Sequence, residues 1–189
     1  MQITETLKPV NRKQWRQWLD ANHESKAEIW LLLDKQPEAD APTYLDAVEE
    51  AICFGWIDGI GKRYSDTEKA QRLTPRRKRS NWTELNKERA RRLIRLGLMT
   101  PSGEATLPDL AINFELASDI EASLKGEDGA WEQFESFPDL YKRVRIGYIE
   151  EMRRRDPLDF EKRLRNFVTK TAAGKMYGNW DDGGRLTGG

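Results

Sequence analysis

Apolar residues along the chain fall into short groups whose spacing switches between a helical and an extended period. Trp15, Trp18 and Leu19 share one helical face. The segment opens with Asn11 as a cap, Gln14 at the capping-box position and Val10 placed to staple onto Trp15, so a helix ending near Asn22 is predicted. The run EIWLLLDK over 28–35 is short, apolar and bounded by polar residues, and it reads as a buried strand. Past the loop 36–42, Thr43 caps a helix with Asp46 at the box position. Leu45, Val48, Ala51 and Ile52 form its stripe, and Gly55 stops it. WIDGIGKRY (56–64) and AQRLT (70–74) read as two strands around the turn 65–69, with Gly59 and Gly61 marking a bulge or a close backbone approach.

The rest reads as helix. Asn81 and Glu84 make a capping box for a helix to about Leu96, stopped by Gly97, and 100–108 reads as a loop. Asp109 caps a helix carrying Ile112, Leu116, Ile120 and Leu124 at a spacing of four. Trp131, Phe134 and Phe137 share a short helical face. Leu140, Val144, Tyr148 and Met152 mark another helix, and Phe160, Leu164, Phe167 and Val168 the last. The tail GNWDDGGRLTGG (178–189) is too rich in glycine and polar residues to pack, and is expected to be mobile. The predicted fold class is α+β: mainly helical, with a small antiparallel sheet in the N-terminal half and a C-terminal helical module. The expected division is 1–99, 100–177 and a flexible 178–189.

Charge changes this picture more than composition does. Formal net charge is zero, yet it is segregated: −4 over 1–57, +8 over 58–97, −9 over 98–139 and +5 over 140–189. Two readings are open. The blocks neutralise one another within the molecule, or a basic face is left for an anionic partner. No apolar run approaches the roughly 18 residues of a membrane span, so no membrane insertion and a cytoplasmic location are expected. One cysteine, Cys53, and one histidine, His23, exclude a disulfide framework and cysteine- or histidine-rich metal sites. Cys53 lies on an apolar helical stripe and reads as a small core residue. No cofactor motif occurs, since Gly59 and Gly61 lack the third glycine and the helix of a dinucleotide fingerprint.

Candidate chemistry concentrates between Cys53 and Arg92. Asp58, flanked by Trp56 and Ile57, is a carboxylate placed to be partly buried, and a buried carboxylate needs a donor. The arginines downstream can supply one, and Glu49 and Glu50 on the preceding helix can join them. Either a salt bridge braces the hairpin or an acid is positioned in a cleft. Arg76, Arg77, Lys78 and Arg79 then run into Ser80, Asn81 and Trp82. Basic side chains, a helix start and a flat indole suit an anionic small molecule or an acidic protein segment. They suit single-stranded nucleic acid as well. The bland alternative is an exposed turn balanced by the acidic 98–139 block. The basic residues between Asn86 and Arg92 spread around their helix, and they read as solvated, as do Lys142, Arg143, Arg145 and Arg153 to Arg155, although the last three could extend a basic surface.

The run AVEEAICFGWIDG beginning at Ala47, followed by Thr74-Pro75-Arg76-Arg77, Ser80, Trp82 and Asn86, resembles the YdeI/OmpD-associated, or bacteriocin-protection, family. The resemblance is best from about Trp15 to Met99. It is weaker over 124–177, where DPLDFEKRLRNF replaces a basic Thr-Arg pattern. It implies a small bacterial accessory protein, with no reaction, cofactor or metal attached, and marks Trp56, Asp58, Arg76, Arg77, Ser80, Trp82 and Asn86 as ligand-binding candidates. The leading expectation is a non-enzymatic protein with a basic cleft. A nucleic-acid-binding module, or an enzyme using Asp58 with the arginines as electrophilic stabilisers, are the alternatives.

Overall fold

Local signals between Asn11 and Pro75 become elements at nearly the predicted positions in the computed structural model, which describes residues 2–78, 80–112 and 114–188. Helix α1 (Arg12–Asn22) follows Asn11, whose side chain accepts from the Gln14 N–H at 2.9 Å. Strand β2 (Ile29–Asp34) and helix α2 (Tyr44–Cys53) come next, and the Thr43–Asp46 capping box is formed in both directions. Gly55 turns the chain at φ +73° into β3 (Trp56–Arg63), which pairs with β4 (Glu68–Pro75). Their register shifts between Asp58 and Gly61, the bulge that the two glycines predict. The Gln71 side chain fills the gap by donating to the Gly59 carbonyl at 2.7 Å.

Sheet order is β1-β2-β4-β3. The unpredicted element is β1 (Thr6–Leu7), whose two residues run parallel to Trp30 and Leu31, so the sheet is mixed rather than wholly antiparallel. Two residues carry no period of their own; only pairing makes them a strand. Val10 is exposed and does not staple onto Trp15. Trp15, Leu19, Ile29, Leu31, Ala51, Trp56 and Leu73 are fully or almost fully buried.

Helix α3 (Glu84–Arg95) starts two residues later than predicted. Thr83 caps it, accepting from the Asn86 N–H at 3.2 Å, in place of an Asn81–Glu84 box. The segment expected to be a loop holds a short helix, α4 (Pro101–Glu104), capped by Thr100. Gly103 there lies against the end of α2. A Cβ on it would sit 2.2 Å from the Cys53 carbonyl oxygen and 2.6 Å from Met99 Sδ. Thr100 meanwhile donates both its N–H and its hydroxyl to the same carbonyl, at 3.2 and 2.6 Å. Gly103→Ala should therefore force α4 off α2 and lower the unfolding free energy by about 3 kcal/mol, the upper range for overpacking. Urea denaturation would measure it, and an unchanged midpoint would contradict this packing.

The helix expected from Asp109 begins only at Ser118, as α5 (Ser118–Lys125), and Ile112 is exposed. Then follow α6 (Ala130–Ser136), α7 (Asp139–Glu150) and α8 (Pro157–Ala172). Ile120, Leu124, Phe134, Tyr141, Ile149, Phe160, Leu164 and Phe167 pack together as their core. The tail packs too, against expectation: Trp180 meets Tyr141 edge-on at 5.6 Å and Leu186 is buried, because one indole covers more apolar surface than the surrounding glycines forfeit. The chain divides into two compact units, 1–81 with 89–110 and 82–88 with 111–189, so α3 contributes residues to both. The fold is α+β, mainly helical, with its sheet confined to the N-terminal half.

Candidate functional site

Arg76 directly follows β4, with its backbone N–H bonded to the Gly55 carbonyl at 2.9 Å. That contact ties the start of the basic run to the α2–β3 turn and draws the side chain inward, to 8% exposure. Its Nη1 donates to Ser80 Oγ and to the Asn81 carbonyl, both at 3.3 Å. Burial pulls the Arg76 pKa down to about 10, and the attraction of Asp58 only partly opposes it. Asp58 stands across the sheet from Leu73, and its carboxylate accepts from the Tyr44 hydroxyl at 2.6 Å. Among the candidates, the structure thus brings Asp58, Arg76 and Ser80 together.

Trp56 is 1% exposed, and its indole N–H donates to the His23 carbonyl at 3.1 Å while Trp18 meets it edge-on. Arg77 and Lys78 are exposed. Trp82 and Asn86 belong to the helical unit, whereas Asp58, Arg76 and Ser80 belong to the sheet unit. Arg79 lies outside the described residues.

Glu49 and Glu50 do not join Asp58. They are buried at 1% and 2% exposure and face a separate set of arginines. Arg12 bridges both, at 2.7 Å to Glu49 and 2.6 Å to Glu50, and also reaches Asp46 at 3.1 Å. Arg16 completes Glu50 at 2.7 Å and Arg92 completes Glu49 at 2.9 Å. Burial would lower the Arg12 pKa, but Glu50 and Glu49 more than reverse it and hold the guanidinium above its ordinary value. Cys53, one turn on, is wholly buried. Burial first and the Glu50 charge second push its thiol up to about 11.

Sequence reasoning also missed the buried arginines of α7, read as solvated. Arg143 pairs with Glu88 at 3.0 Å, and Arg145 is sunk between two tyrosine rings. A charged residue at a core-facing helical position is the signal that could have found them. Arg153 forms pairs with Asp119 and Glu150 at 2.6 Å each and lies over the Phe160 ring, rather than extending a basic surface.

Fold and site together define an α+β chain with a buried arginine beside a carboxylate in its sheet unit and a second, helical unit. Residues 7–106 match the family described as Domain of unknown function (DUF8412), and residues 113–174 match the family described as Bacteriocin-protection, YdeI or OmpD-Associated. No curated protein and no solved structure matches. The first match spans more than half of the chain, which belongs to the DUF8412 family. The bacteriocin-protection family is found as the sequence predicts, but at the helical segment where the resemblance was weaker. Trp56, Asp58, Arg76, Arg77, Ser80, Trp82 and Asn86 all lie in the other match, whose description carries no activity. Among the described residues no helix is long and apolar enough to cross a membrane.

Proposed function

We propose that this is a non-enzymatic bacterial accessory protein, working in the cytoplasm, whose Asp58–Arg76–Ser80 site takes the anionic group of a small molecule or of an acidic protein segment. The observation that carries this reading is the convergence, in one unit, of the buried Arg76 guanidinium with Ser80 Oγ at 3.3 Å and the nearby Asp58 carboxylate, next to exposed Arg77 and Lys78. A guanidinium fork matches the oxyanion of an incoming carboxylate or phosphate. Exposed Arg77 and Lys78 would add long-range attraction for such a ligand. The helical segment matching the bacteriocin-protection family supports the accessory role, without specifying the ligand.

Arg76→Met separates this reading from a structural brace. The substitution removes a buried charge and retains an apolar side chain of similar length. Its unfolding free energy should stay within about 1 kcal/mol of the parent or exceed it, whereas breaking a bracing ion pair would cost about 3–5 kcal/mol. Thermal shifts with citrate, with phosphate and with a short single-stranded oligonucleotide should be measured on both proteins. Stabilisation by the small anions that is lost in Arg76→Met is the expected result. Stabilisation surviving the substitution would remove the site. An oligonucleotide effect alone, falling steeply with salt, would mark a nucleic-acid-binding module instead.

A further inference from the structure

Within the helical unit, α7, α8, the segment after α8 and Leu85 of α3 line an open cavity of about 680 Å³. That volume is in the range of small-molecule sites, roughly 300–1,000 Å³. Arg145 lines it from α7, Lys162, Arg163 and Asn166 line it from α8, and Tyr148 and Tyr177 supply apolar wall.

Arg145 is the unusual member. The other arginines of these two helices that are withdrawn from solvent have carboxylate partners: Arg143 has Glu88 and Arg163 has Asp159 at 2.7 Å, and Arg153 in the turn between the helices has Asp119 and Glu150. Arg145 is 8% exposed, and no carboxylate among the described residues forms an ion pair with it. Its guanidinium carbon lies 5.1 Å from the centres of both the Tyr148 and the Tyr177 rings. Among the described residues its one hydrogen bond is long, 3.4 Å from Nη1 to the Tyr177 carbonyl, and its buried Nε has no acceptor. Ring faces attract a cation, but they do not replace a counter-ion for a desolvated guanidinium.

The seat is built for that guanidinium. Gly178 holds φ +70°, and a Cβ there would lie 2.4 Å from Arg145 Nη1. Asp159, the acid on the cavity wall, is already engaged by Arg163, whose Nη1 also donates to the Tyr148 carbonyl at 2.8 Å. Arg145 and exposed Lys162 are therefore the charges left to face the cavity.

We propose that this cavity binds a small organic anion, with its carboxylate or phosphate head at Arg145 and Lys162 and a flat apolar portion against Tyr148 and Tyr177. The site is separate from Arg76 and stands whether or not that one binds. Phenyl phosphate, benzoate and inorganic phosphate are suitable probes, titrated into the full chain and followed by amide and tyrosine ring NMR shifts. Phenyl phosphate and benzoate should both shift resonances of Tyr148 and Tyr177, and inorganic phosphate should bind about tenfold more weakly than phenyl phosphate, because it lacks the ring.

Arg145→Gln should weaken phenyl phosphate binding at least tenfold, and Lys162→Ala, at an exposed position, by a few-fold without altering the fold. Gly178→Ala should weaken it by displacing the guanidinium. Arg76→Met should leave this binding unchanged, which separates the two sites. The proposal is overturned if neither organic probe shifts these tyrosines at millimolar concentration. Equal affinity of phenyl phosphate for the parent and Lys162→Ala, with Arg145→Gln either equally tight or unfolded, overturns it too.

Discussion

Arg12→Ala is expected to lower the free energy of unfolding by about 3–5 kcal/mol, the range for removing one partner from a buried ion network. Arg12 is itself one-third exposed, so its own removal from solvent matters little. What matters is what stays behind: the Glu49 and Glu50 side chains, at 1% and 3% exposure. Each carboxylate now has two arginines. Without Arg12, Glu49 retains Arg92 and Glu50 retains Arg16, and neither carboxylate can reach solvent for compensation. Arg12→Lys should lose less, about 1–2 kcal/mol, because a single ammonium restores charge but cannot span two carboxylates as a fork does. Guanidinium chloride screens such pairs, so urea is the denaturant to use. The double variant Arg12→Ala with Glu50→Gln should lose less than the sum of its parts. Strict additivity would mean that the two groups do not interact.

Phe167→Ala should cost a similar amount, about 3–5 kcal/mol, for a different reason. Phe167 is fully buried on α8, with Phe134 edge-on at 6.2 Å and Tyr141 tilted at 6.4 Å. Truncation leaves a cavity bounded by two rigid rings on α6 and α7. Aromatic rings cannot flex into a void as a methionine can, so little of the loss is recovered by collapse. Phe167→Leu should recover at least half of it. Urea denaturation followed by far-ultraviolet circular dichroism, which is dominated by helix, measures the loss. A loss below about 1 kcal/mol would mean that the helices repack more freely than close-packed interiors allow.

The parts of the fold legible beforehand are those whose causes lie within a few residues. Thr43 with Asp46 and Gly55 bound α2 as read, and Gly59 and Gly61 mark the bulge between β3 and β4. The misreadings have the complementary cause. Thr83 displaced Asn81 as the cap of α3 although both residue types can cap, and backbone geometry chose between them. Leucines and isoleucines at a spacing of four suggested a helix from Asp109, but Ile112 has no core to face and the regular structure waits until Ser118. Trp180 looked like part of an unpackable tail because Tyr141, its partner, is 39 residues away in sequence.

By itself the sequence determined the types of most elements, the caps of α1 and α2, the α+β class and the family expectation. Periodicity and capping are short-range physics, settled by neighbours one to four positions apart. Tertiary structure alone decided where the charges go. It assigned Glu49 and Glu50 to Arg12, Arg16 and Arg92, set Arg76 beside Asp58, and sank Arg145 between two tyrosines. A formal charge is the same on a solvated face as in a core. Its partner and its energetic cost depend on burial and on residues tens of positions distant, which no local pattern encodes.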